Sequence, residues 1–85
     1  MRRVAFLPQA FEDFCRWSVE DKKVHGRIVN LIKDALRTPF TGIGKPEPLK
    51  HELKGLWSRR ITDEHRLVYK VTEEEIVIHS CRLHY

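Results

Sequence analysis

Cysteine is scarce in this chain. Cys15 and Cys81 stand alone, far apart and without C-x-x-C spacing. Two such residues do not make a disulfide framework. The histidines give no metal signature either. His51, His65, His79 and His84 show no His-x3-His spacing, and structural zinc sites usually carry such a pattern. Neither a metal nor a cofactor is therefore expected. Ser18, Ser58 and Ser80 have no glycine-rich elbow around them, which argues against a serine hydrolase. Gly42-Ile43-Gly44-Lys45 lacks both the spacing and the Ser or Thr of a phosphate-binding loop. Long apolar runs are missing too. The first one, Val4 to Leu7, is closed by Pro8 and is too short for a signal-peptide core or a membrane span. The expectation is a cytoplasmic protein with no membrane partner.

What is present suits one small globular domain covering residues 1–85. Eighty-five residues exclude a two-domain enzyme, a cofactor-binding α/β domain and a TIM barrel. Hydrophobic residues at 41% against 33% charged ones argue for a folded chain and against wholesale disorder. Sixteen Lys and Arg against twelve Asp and Glu give a net charge of +4. That balance permits a phosphate-rich partner without requiring one.

Val4 to Leu7 reads as a first strand. Phe11, Phe14, Cys15 and Ser18 then recur at helical spacing beside Trp17, with Glu12, Asp13, Arg16 and Glu20 on the other side. This predicts an amphipathic helix entered at Pro8. Val24, Ile28, Leu31, Ile32, Ala35 and Leu36 form one apolar stripe along a second helix, which Thr38-Pro39 ends. The break near Asp21 makes the pair a helical hairpin. Residues 39–56 hold three of the four glycines and three of the four prolines, and form the long irregular segment. Such segments are often functional. Three β-like runs follow: Trp57 to Thr62, Arg66 to Val71 and Ile76 to Arg82. The architecture expected is α+β, with two helices packed on one face of an antiparallel sheet.

Parity sets the register of the middle strands. Trp57 and Ile61 are odd-numbered, and so are Leu67, Tyr69 and Val71. If both sets face the helices, odd pairs with odd and the intervening turn has an odd number of residues. Arg60 then lies opposite Arg66 on the far face. Like charges in that position repel, and an anion between them relieves the repulsion.

Four groups could carry chemistry. Glu47 lies between Pro46 and Pro48, which fix the backbone on both sides. It reads either as a held base or as an ordinary solvated carboxylate. Lys50 with His51 follows it. Arg59, Arg60 and Arg66 read as solvated strand residues or as an anion site, with parity favouring Arg60 and Arg66 over Arg59. The pair His84-Tyr85 continues a strand-like run. On an extended chain its two side chains point to opposite faces, so both serve one site only if the chain bends.

Four segments together closely resemble the YoeB/Txe-type toxins of the RelE-like superfamily of bacterial toxin–antitoxin systems. They are Gly44-Lys45-Pro46-Glu47-Pro48-Leu49-Lys50-His51, Gly55-Leu56-Trp57-Ser58-Arg59-Arg60-Ile61-Thr62, Glu64-His65-Arg66-Leu67-Val68-Tyr69 and Cys81-Arg82-Leu83-His84-Tyr85. The resemblance covers the whole chain. It implies a microbial-RNase-like fold and a metal-free endoribonuclease that cuts messenger RNA in the ribosomal A site. It implies Glu47 as general base, His84 as general acid and Arg66 as the transition-state arginine. Lys50, Arg60 and Tyr85 match supporting positions, and Arg59 and His51 are counted with them as RNA-binding candidates. The partners implied are a Phd/YefM-type antitoxin, the 70S ribosome and messenger RNA, and a homodimer is compatible with it. A non-catalytic RelE/ParE-type binding module is the alternative, as is a nuclease acting on free RNA. Residues 45–66 carry six Lys and Arg against four Asp and Glu. So modest a basic balance suits RNA presented by another machine better than free RNA.

Overall fold

Pro8 opens helix α1 (Pro8–Glu20), where its fixed φ suits the first turn and its missing N–H is not needed. The computed structural model describes residues 1–83, and α1 follows strand β1 (Arg3–Phe6). Asp21 separates α1 from helix α2 (Lys22–Arg37) and caps the latter. Its carboxylate accepts from the backbone N–H groups of Lys23 and Val24. The expected α2 stripe is the buried one: Ile28, Leu31, Ile32 and Ala35 all lie in the core.

The face of α1 differs from the expectation. Ala10, Asp13 and Trp17 are its buried residues, while Phe11 is 55% exposed and Cys15 is also exposed. Apolar residues ring most of this helix, so the spacing of Phe11, Phe14, Cys15 and Ser18 does not by itself select the buried face. Trp17 decides between them, because its indole N–H donates to the Cys81 carbonyl at 3.0 Å. A buried indole needs such a partner.

The remaining elements are strand β2 (Glu47–Pro48), a short 3-10 turn (His51–Leu53), β3 (Leu56–Arg60), β4 (Arg66–Val71) and β5 (Glu75–Ser80). One five-stranded sheet has the order β1-β5-β4-β3-β2. It is mixed, where an antiparallel sheet was expected: β1 runs parallel to β5, pairing Arg3 with Glu75 and Phe6 with Ile78. A four-residue apolar run carries no direction of its own. The helical hairpin sets β1's direction by separating it from the strands it joins. His65 precedes β4 in the turn after β3, and His79 is in β5, at the irregularity where Val68 pairs with Ser80 and Tyr69 with Ile78.

The register of β3 and β4 is the one parity requires. Arg60 pairs with Arg66, Ser58 with Val68 and Trp57 with Tyr69. The helix-facing side carries Leu67, Tyr69, Ile76 and Ile78, each wholly buried against α1 and α2, with Trp57 packed at the edge. Among the described residues no helix is long and apolar enough to cross a membrane.

Candidate active site

Glu47 owes its place to the loop before it, and that loop is built on Arg59. The five N–H donors of a guanidinium have five acceptors here. Nε donates to the Tyr69 hydroxyl at 3.0 Å, Nη1 to Asp34 at 2.7 Å and the Ile43 carbonyl at 3.1 Å, and Nη2 to the carbonyls of Thr38 at 2.7 Å and Thr41 at 2.8 Å. Tyr69 passes the chain on to the Pro39 carbonyl. The Ile43 N–H and the Arg59 guanidinium together hold the Asp34 carboxyl below its ordinary range, while burial raises the Tyr69 phenol. Arg59 is fully buried in this network. It is therefore corrected from an RNA-binding candidate to the internal support of residues 38–43.

Gly44 continues that support. Its φ is +80°, and a Cβ there would lie 2.7 Å from a Leu31 methyl and 3.2 Å from the Arg60 carbonyl. Only glycine lets the loop press so closely on β3. The Arg60 N–H donates to the Gly44 carbonyl at 2.7 Å, and the chain then enters β2. Glu47 pairs with Ser58 and Pro48 with Trp57. The missing Pro48 N–H falls on the outer edge of the sheet, where proline is tolerated.

Strand alternation places Glu47, Ser58, Arg60, Arg66 and Val68 on the face away from the helices. Arg60 and Arg66 form a pair whose N–H groups point away from each other: that of Arg60 goes to Gly44, and that of Arg66 to the Leu83 carbonyl at 3.1 Å. Such non-hydrogen-bonded pairs bring Cα atoms to about 4.5 Å, the closer of the two antiparallel spacings. Glu47 lies diagonally from Arg60 at the cross-strand distance of about 7–8 Å. Arg66 is partly ordered by its own turn. Its Nη1 donates to the carbonyls of Thr62 at 2.6 Å, His65 at 3.0 Å and Asp63 at 3.2 Å. Arg60 is exposed. Two arginines thus leave the sheet side by side on one face, and the planar donor edge of arginine matches a phosphate.

Leu49 is buried and its N–H donates to the Leu56 carbonyl, which leaves Lys50 exposed beyond it. His51 follows at φ +59° and starts the 3-10 turn. Glu47, Pro48, Lys50, His51 and Leu53 line a hollow of about 320 Å³ on this edge. Lys50 and His51 therefore border the Glu47 side of the face. Arg60 and Arg66 lie further across it.

On the other side of Arg66 comes the segment Cys81–Leu83. Cys81 is wholly buried, and burial pushes its thiol up to about 12, which makes it a packing residue. Leu83, at φ +64°, binds Arg66 through its carbonyl and His65 Nδ1 through its N–H at 2.7 Å. His84 and Tyr85 lie outside the described residues. The structure thus brings Glu47, Arg60 and Arg66 to one face, with Lys50 and His51 in the hollow at its Glu47 edge, and sets Arg59 apart in the interior. Sequence reasoning missed Asp34, whose acidic side chain on the polar side of α2 resembles any solvated charge. It also missed His65 as a partner of the chain beside Arg66. Among the described residues no three His, Cys, Asp or Glu side chains are grouped to hold a metal ion.

Residues 6–85 match the family model of a YoeB-like toxin of bacterial type II toxin–antitoxin systems. The chain is 56% identical over 83 residues to Toxin YoeB of Escherichia coli (strain K12), covering 98% of this chain and 99% of that protein. Its fold matches a solved YoeB dimer from Staphylococcus aureus with a TM-score of 0.92 and 48% identity, over 99% of this chain and 98% of the other. A YoeB–YefM complex from Staphylococcus aureus matches with a TM-score of 0.91 and 46% identity, over 100% and 99%.

Proposed function

The chain belongs to the YoeB-like toxins of bacterial type II toxin–antitoxin systems, and from that premise we propose that it is a ribosome-dependent endoribonuclease cutting messenger RNA. RNA brings its own nucleophile, the 2′-hydroxyl. Glu47 takes the proton from it, and the oxygen attacks the adjacent phosphorus. The 5′ oxygen leaves with a proton from His84. The products are a 2′,3′-cyclic phosphate and a 5′-hydroxyl. Arg66, with Arg60 beside it, stabilises the extra negative charge of the phosphorane, a contribution of about 3–4 kcal/mol for a well-placed donor. Lys50 holds the neighbouring backbone, and Tyr85 stacks on a base.

The observation that supports this reading is the order of groups across one sheet face. Glu47 lies on β2, Arg60 on β3 and Arg66 on β4, and Leu83, the residue before His84, is bound on the far side of Arg66. A base on one side of an arginine pair, with the chain that leads to the proposed acid held on the other, suits an in-line displacement, in which attacking and leaving oxygens occupy opposite apices of phosphorus. The residue set needs no metal ion for this chemistry.

An unopposed nuclease of this kind would arrest its own host. We therefore assign it an antitoxin of the Phd/YefM type, consistent with the YoeB–YefM complex of the Staphylococcus aureus relative. An acidic segment of such a partner would cover Arg60 and Arg66, since paired arginines attract carboxylates. The test is to incubate the protein with messenger RNA, with and without 70S ribosomes, and to examine product ends. Cleavage only with ribosomes, leaving 5′-hydroxyl ends, is expected. Equal cleavage of free RNA would make it a ribosome-independent nuclease. No cleavage in either case would favour a non-catalytic binding module.

A further inference from the structure

Leu83 is fastened from both sides at the point where the chain leaves Arg66. Its N–H donates to His65 Nδ1 at 2.7 Å, and its carbonyl accepts from the Arg66 N–H at 3.1 Å. Its φ of +64° is in the left-handed region, where a β-carbon is strained and a residue stays only if its surroundings hold it. The carbonyl contact uses backbone alone, and any residue at position 66 other than proline would make it. The N–H contact depends on one side chain.

That side chain is itself held in place. The His65 N–H donates to Thr62 Oγ1 at 3.1 Å, and its carbonyl accepts from the Ile61 N–H at 3.0 Å. Its ring meets the Trp17 edge-to-face at 4.8 Å. Trp17 is fixed in turn by its bond to the Cys81 carbonyl and by the Arg82 guanidinium lying 4.3 Å over its ring. Arg82 is bound to Glu20 at 2.7 Å. Residues 81, 82 and 83 are thus gripped one after another by Trp17 and His65. Nδ1 accepts, so the imidazole carries its proton on Nε2, which lies 3.6 Å from the Glu64 carboxylate.

We propose that His65 is a positioning residue of the active site: its Nδ1 anchors the Leu83 amide, and this fixes where the chain delivers the residue that follows. The proposal rests on the reading of His84 as general acid. His65 lies behind Arg66 and acts on the reaction only through Leu83. Displacing a reacting group by about 1 Å can cost on the order of 100-fold in rate. Losing the anchor should therefore slow the chemical step while leaving RNA binding by Lys50, Arg60 and Arg66 in place.

The test compares His65→Asn with His65→Phe in the full chain on ribosome-bound messenger RNA. Asparagine places an acceptor oxygen at the same number of bonds from the backbone as Nδ1, but loses most of the contact with Trp17. Phenylalanine keeps the aromatic contact and has no acceptor. The proposal expects kcat to fall roughly 10- to 100-fold in His65→Phe, with apparent KM little changed and the Leu83 amide losing its protection from hydrogen exchange. His65→Asn should keep that protection and recover most of kcat. The reverse ranking, with His65→Phe active and His65→Asn impaired, would show that the ring serves only to pack on Trp17 and would overturn the proposal. His65→Leu replaces His65→Phe if the latter does not fold. A parallel His84→Ala variant separates the two layers. If it cuts at the wild-type rate, the acid assignment fails and the role of His65 falls with it. If it is inactive while His65→Phe is not, the anchor alone is refuted.

Discussion

Replacing Arg59 by methionine should unfold this protein at temperatures where the wild type is intact. Methionine fills much of the arginine stem but offers no donor. The Asp34 carboxylate loses the partner at 2.7 Å, and the carbonyls of Thr38, Thr41 and Ile43 and the Tyr69 hydroxyl lose theirs. Asp34 is only 13% exposed, so little water reaches it in compensation. Breaking a buried pair by removing one member costs about 3–5 kcal/mol. A domain of this size has a total stability of roughly 4–13 kcal/mol. At about 4–8 °C per kcal/mol, Tm should drop by roughly 12–40 °C. Arg60→Met, one residue along and exposed, should change stability by less than about 0.5 kcal/mol. Thermal unfolding followed by circular dichroism reads both. A Tm for Arg59→Met within about 3 °C of wild type would refute the support role of Arg59 and reopen it as an RNA contact.

Two predictions concern acid and geometry. Asp34 titrates below its ordinary value in the folded protein, so its contribution to stability is present above about pH 4 and is lost as pH falls through the lowered folded value. Asp34→Asn should remove this part of the acid dependence and lower Tm at neutral pH, and parallel Tm-against-pH curves for the two proteins would contradict it. Arg66→Lys keeps the charge but loses the planar pair of donors, so single-turnover cleavage should stay at least about tenfold below wild type; near-normal cleavage would mean that only bulk charge matters there.

Much of the site-bearing sheet is legible in the sequence because two constraints coincide in β3 and β4. Alternation fixes which residues face the helices, and the short turn fixes which are opposite, so the Arg60–Arg66 pair follows from parity. The α2 stripe is legible for a similar reason: a single apolar face admits one burial. Where a constraint is missing, the reading fails. Val4 to Leu7 carries no direction, so the parallel pairing of β1 with β5 is decided by the helical hairpin. The apolar residues of α1 allow two faces, and a distant carbonyl at Cys81 selects the one bearing Trp17. Arg59 and Arg60 are adjacent and chemically identical. Strand alternation turns one inward and the other outward, but Asp34, three loop carbonyls and the Tyr69 hydroxyl are what make an inward arginine tolerable. Four of these five acceptors come from residues 34–43, a separation at which local pattern says nothing. His65 has the same difficulty, because its partner is a backbone N–H eighteen residues away.

The central claim is that the sheet face carrying Glu47, Arg60 and Arg66 performs the cleavage. It is tested most directly by the single-turnover rate of Glu47→Gln on ribosome-bound messenger RNA. Glutamine keeps the size of the side chain and its exposed place on β2 but cannot accept the 2′-hydroxyl proton. The account predicts an unchanged Tm and a rate lower by about 10²- to 10⁴-fold, the usual contribution of a general base. A folded Glu47→Gln protein that cuts within about threefold of the wild-type rate would contradict it.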